Sequence, residues 1–154
     1  MAANQVDVLH TGMGIDTRDW ASFTKALRKG APDIAKQLKI GLRVAGQIVA
    51  DKAEEIIDPF SSVIGPSIKV RVAGAGVSVV AGGGSASPLA GLFEQGNKGR
   101  GGSDTFRHPV FGNKNIWVTQ PTHPFLAPAL LEKLADVEVA VTAALDQAIA
   151  GVVE

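Results

Sequence analysis

His108 and His123 have the widest chemical range near neutral pH in this sequence, and each stands beside a proline with no acidic residue at ligand spacing. They read as structural or surface histidines rather than as a metal pair. Cysteine is absent, which excludes disulfides, thiol chemistry and a Cys-ligated zinc site. Three glycine-bearing stretches come close to known motifs and miss. Gly91 to Gly96 has the GxxxxG spacing of a phosphate loop, but Lys98 falls one place late and no Ser or Thr follows it. The stretch therefore lacks both the lysine and the magnesium-binding hydroxyl of that motif. Gly74-x-Gly76 continues to Val79 where a dinucleotide fingerprint needs glycine, and Gly83 to Ser87 lacks the second glycine of a nucleophile elbow. No pair of carboxylates stands out for acid–base work. Tyrosine is absent, and Phe and Trp are not interleaved with basic residues as in single-strand binders. The expectation is a chain that is not an enzyme and takes no metal or cofactor.

Charge is the remaining resource. The 154 residues balance 15 Lys/Arg against 15 Asp/Glu, but unevenly. Residues 67–119 hold six basic residues (Lys69, Arg71, Lys98, Arg100, Arg107, Lys114) against Glu94 and Asp104. Residues 120–154 hold Lys133 against five acids. A basic middle and an acidic end suit either a head-to-tail interface between copies or two solvated surfaces. Length points to one domain with its own core, and a hydrophobic share of 45% with 19% charged residues points to a folded chain. No apolar run is long enough for a bilayer, and MAANQVDVLHTGMG has neither the basic start nor the apolar centre of a signal peptide. The expectation is a protein made and used without export or membrane attachment.

The elements that position these residues follow from periodicity. Residues 1–15 are weakly patterned and read as an arm, with Val6 and Val8 able to form a short strand. Residues 16–154 read as one domain. Asp16 or Thr17 can cap a first helix carrying Trp20, Phe23 and Leu27, which Gly30 can stop. Pro32 opens a longer helix with Ile34, Leu38, Leu42, Ala45, Val49 and Ile56 at helical spacing, and Pro59 closes it. Gly41 and Gly46 each weaken that helix by about 1 kcal/mol relative to alanine. With Ala45 they form a small-residue strip that another element can approach. Ile68, Val70 and Val72 alternate with Lys69 and Arg71, turn at Gly74 to Gly76, and return as Val77 to Val80. Gly82 to Ser87 and Gly96 to Ser103 are flexible in composition, and Pro88 to Phe93 is a short apolar piece between them. A last helix is expected from about Pro128 to Ala150, with Leu130, Leu134, Val137, Val141, Leu145 and Ala148 as its apolar stripe and Gly151 as its stop.

Between loop and last helix lies FRHPVFGNKNIWVTQPTHPFLAPALL, Phe106 to Leu131. Phe106 to Phe111 is extended, Gly112 to Asn115 is turn chemistry, and Ile116 to Thr119 is a strand. Pro121, Pro124 and Pro128 delay the helix. The expected fold is α+β: a small antiparallel sheet, formed by the hairpin and the Trp117 strand, with two long helices on one face and a short N-terminal helix. Trp117, Pro124, Phe125 and Pro128 read as the structural junction between sheet and last helix. Arg107 and His108, on an extended segment, are open to a partner.

RHPVFGN followed by Trp117, then PFLAPAL entering a helix, with FEQGN (Phe93 to Asn97) upstream, resembles the tail-completion and head–tail joining proteins of long-tailed bacteriophages. The resemblance implies a non-catalytic virion protein assembled in the bacterial cytoplasm. It implies a ring of about six copies at the top of the tail, around the DNA channel, between the tail tube and the neck or head-closure proteins. The closely related role of tail terminator is equally compatible. On this reading Phe93, Glu94, Arg107, His108 and Phe111 are candidates for contacts between subunits or with neck proteins. Lys69, Arg71, Lys98 and Arg100 are candidates for lining the channel, where they would meet passing phosphates without sequence preference. A reading of another class is a monomeric nucleic-acid-binding module that uses the basic hairpin, although the neutral chain argues against it.

Overall fold

The computed structural model describes residues 5–7, 17–73, 76–84, 87–96 and 104–153. Among them are helices α1 (Thr17–Gly30), α2 (Pro32–Ile57), α3 (Ser87–Gln95) and α4 (Leu126–Val153). The strands are β1 (Gln5–Asp7), β2 (Lys69–Ala73), β3 (Gly76–Val80), β4 (Thr105–Val110) and β5 (Asn113–Pro121). This is an α+β fold in which the two long helices pack together.

Helix α2 is the central element. Pro32 sits in its first turn, where a missing N–H costs nothing. One side of α2 meets α4 in antiparallel fashion: Ile34 lies against Gly151, Gly41 against Ala144, and Lys52 reaches Glu132. A Cβ on Gly41 would collide with that of Ala144, so glycine permits the close crossing there. Both helices bury small residues (Ala45, Ala53, Ala129, Ala144, Ala148), which lets their axes approach. The adjoining side of α2 lies on the sheet, with Gly46 beneath Val70 and Val77, and α4 touches β1 of the same sheet. Alternation along β2 and β3 turns Val70, Val72, Val77 and Val79 inward and leaves Lys69 and Arg71 exposed. Among the described residues no polar or charged side chain is fully buried.

Several expectations change. The hairpin sheet has a third strand, but it is β1, from the stretch read as an arm. Gln5–Asp7 pairs antiparallel with β3, giving the order β1-β3-β2. The Trp117 strand instead pairs with β4 in a separate two-stranded sheet. Local pairing across a two-residue turn closes a shorter loop than docking onto a distant edge. Pro88 to Phe93, readable as one helical turn or a strand start, lies within helix α3, and Gly96, at φ 66°, follows it as a left-handed stop. Gly151 does not stop α4, which runs on to Val153; Ile34 lies close against Gly151, where a side chain would be tight. The Gly74–Ala75 turn, Asp16 and the side chain of Trp20 lie outside the described residues.

Candidate functional site

The β4–β5 hairpin is the part of the molecule with the most side chain available to a partner. Its strands contact chiefly each other. Thr105 pairs with Pro121, and the ladder continues through Phe106–Gln120, Arg107–Thr119, His108–Val118 and Pro109–Trp117. A two-strand ribbon has only edges, so Pro109 is tolerated in it. The register then jumps: Val110 pairs with Asn113, and Lys114, Asn115 and Ile116 are looped out. The turn is Phe111-Gly112, both at positive φ (48° and 78°), the pattern of a tight hairpin turn whose twist suits the strands. Phe111 is therefore at the tip and fully exposed, at 104%.

Two faces result. Arg107, Pro109, Trp117 and Thr119 share one. The Arg107 guanidinium lies 5.8 Å from the Trp117 ring centre, and the indole N–H donates to the Lys114 carbonyl at 2.7 Å. Trp117 is 47% exposed, so it is not the junction packing expected of it. The strand that carries it never reaches the core, and its neighbours Ile116 and Val118 are exposed as well. The other face carries Phe106 and His108. His108 Nε2 lies 3.0 Å from Gln120 Oε1 and Nδ1 lies 3.2 Å from the Pro109 carbonyl. The Gln120 contact joins the two strands, the Pro109 contact lies within β4, and part of the imidazole remains accessible.

The base of the hairpin is fixed by three contacts that the sequence divides among distant segments. Phe106 is buried against Phe93, ring centres 5.3 Å apart. His123 stacks on Phe60 at 3.7 Å. Glu94 reaches across to the start of α4, where its carboxylate accepts from the N–H groups of Phe125 (2.7 Å), Leu126 (2.9 Å) and Ala127 (3.0 Å). A carboxylate is well placed there, because the first N–H groups of a helix lack partners within it and carry its positive end. Phe93 and Glu94 are thus engaged inside the subunit. Phe125 is buried, as a junction residue should be, while Pro124 and Pro128 are exposed. Pro128 is the third residue of α4, inside the turn where its missing N–H is harmless. The Glu94 cap joins residues 31 positions apart, so no local motif announces it.

Lys69 and Arg71 lie exposed on β2, an edge strand, on the sheet face away from α2. Lys98 and Arg100 lie outside the described residues. Among the described residues no three His, Asp or Glu side chains gather as a metal site, and no helix is long and apolar enough to cross a membrane. Comparison of the chain with protein-family models, curated proteins and solved structures finds no match.

Proposed function

We propose that this chain is a structural virion protein that joins the tail of a long-tailed bacteriophage to its head or neck. On this reading several copies, with six as the expected number, form a ring at the top of the tail around the DNA channel. The ring contacts the tail tube on one side and neck proteins on the other, and it is assembled in the host cytoplasm. Capping of the tail tube as a terminator is the variant of the same role.

The observation that carries the proposal is the projecting β4–β5 hairpin. It exposes Phe111, Ile116, Trp117 and Val118 beside Arg107 and Lys114, while its base is fixed by Phe106 and Glu94. A rigid arm with an apolar, basic end suits protein assembly. The Leu92 to Leu130 stretch that carries the resemblance includes the described residues of the arm and its mount.

Electron microscopy of the purified protein, alone and mixed with phage tail tubes, tests the proposal. Rings, or density on one end of each tube, are the expected result. Tubes left uncapped overturn it. Lys69 and Arg71 are proposed to face the channel, so their charge reversal should slow DNA delivery; unchanged delivery removes that assignment. Retention of the monomer on duplex DNA that falls steeply with salt, without capping, would favour the nucleic-acid-binding module instead.

A further inference from the structure

The outward side of α4 is built to receive something. Leu131, Ala135, Val139, Thr142, Asp146 and Ile149 recur every three or four residues along it, opposite the face buried on α2. Leu131 is 68% and Val139 71% exposed. A stripe of this kind on a helix that already has a complete buried face is not needed for the core. Two carboxylates accompany it, Glu138 and Asp146, with no ion-pair partner among the described residues. By contrast, Glu132 is held by Lys52 and Asp136 by Lys133.

The hairpin is the complement of this surface. It contains no acidic residue, has Arg107 and Lys114 exposed, and offers Phe111, Ile116 and Trp117 as apolar contacts. Lys114 has no carboxylate partner among the described residues. Six residues of β4 span about 20 Å at 3.4 Å each, so one hairpin would cover about three quarters of the stripe from Leu131 to Ile149, which spans about 27 Å at 1.5 Å per residue. Within one subunit the hairpin strands contact chiefly each other.

The geometry points to a head-to-tail contact in which the β4–β5 hairpin of one copy lies along the outward face of α4 of the next. Phe111 and Trp117 cover the Leu131–Val139–Ile149 stripe, and Arg107 and Lys114 meet Glu138 and Asp146. Each copy donates one hairpin and offers one helix face. Such a contact is heterologous, so it propagates until it closes a ring or extends as a filament. The inference rests on the ring reading for its premise that copies associate, and it names the surfaces that would do so.

The absence of native cysteine allows a direct test. Phe111→Cys and Val139→Cys proteins, both exposed-site variants, are mixed and mildly oxidised, alone and with tail tubes. The control pairs Phe111→Cys with Lys25→Cys, an exposed position on α1. The expected result is a mixed disulfide dimer several-fold above the control, and a ladder of oligomers from a chain that carries both substitutions. Reversing both hairpin charges (R107E with K114E) should lower the yield about tenfold, and pairing that protein with an E138K/D146K partner should restore it. A yield no higher than control in both conditions overturns the contact, as does loss without restoration in the swapped pair. A hairpin that cross-links no copy and instead retains duplex DNA overturns it as well. Tube capping that persists without the cross-link leaves the ring standing on other surfaces. A cross-link without capping retains the contact and discards the tail role.

Discussion

Glu94 shows how one side chain can fix an element remote from it in sequence. Its carboxylate satisfies three N–H groups at the start of α4, and a carboxylate at that end also opposes the helix dipole. Glu94→Ala leaves those donors without a protein acceptor, and is expected to lower stability by about 1–3 kcal/mol in urea denaturation. Glu94→Gln, which keeps one acceptor oxygen but not the charge, should lose less. Trp117 is the opposite case. Its ring sits on an exposed strand with Arg107 over it, so Trp117→Ala should change stability by less than about 1 kcal/mol. If the hairpin is the assembly arm, the same variant should reduce tube capping well beyond that small effect. A melting curve and a capping assay on one preparation separate the two. Residue type alone favours burial for a tryptophan. The deciding fact is that β5 pairs with β4 and with nothing beneath it.

At the scale of elements, two glycines of the same intrinsic cost behave differently. In α2, a Cβ on Gly46 would stand 2.5 Å from Val70 Cγ1 and 2.9 Å from Val77 Cγ2, so helix and sheet would have to separate. Gly46→Ala should therefore destabilise by about 1–3 kcal/mol, despite alanine's better helix propensity. Adding Val70→Ala should recover part of the loss. Gly91 in α3 has nothing within 4 Å of such a Cβ, so Gly91→Ala should stabilise by up to about 1 kcal/mol. Thermal denaturation of the two variants should give shifts of opposite sign. Lys52 ties α2 to α4. Its hydrogen bonds to Glu55 and then to Glu132 raise its pKa above the ordinary lysine value. A raised lysine pKa contributes stability in full below the unfolded value, and loses it as pH rises through the folded one. The melting-temperature difference between the native chain and Lys52→Met should thus be steady near neutrality and shrink above about pH 10.

Taken whole, the molecule divides into a closed body and an open arm. The body is α2 packed against α4 and against the β1-β3-β2 sheet, whose β1 also touches α4, with the apolar core shared among them. The arm is the β4–β5 hairpin, and the acidic outward face of α4 is the surface proposed to receive it. In the proposed contact exposed charges of opposite sign meet, so any self-association through it should weaken as salt shortens the screening length from about 10 Å at 0.1 M towards about 3 Å at 1 M. Sedimentation velocity at low and high salt measures this. Association that strengthens with salt would indicate a contact dominated by its apolar residues. The basic middle and acidic end of the sequence are one observation at the level of composition. In three dimensions they become a hairpin and a helix face, both largely exposed.

The sequence by itself determined the elements with strong local signals. Leu38, Leu42 and Val49 at helical spacing between Pro32 and Pro59 define α2, alternating valines define β2 and β3, and Val137, Val141 and Ala148 define the buried face of α4. It also established the absence of cysteine and the uneven charge. Only the tertiary structure decided that Gln5–Asp7 joins the sheet, that the Trp117 strand does not, and that Glu94 caps α4. The physical reason is common to all three. Periodicity records which face of an element avoids water, but not which distant segment covers it. A three-residue strand carries too little pattern to mark its partner. An exposed strand breaks the rule that aromatic and β-branched residues turn inward, and a cap supplied from 31 residues away leaves no trace at the helix it completes.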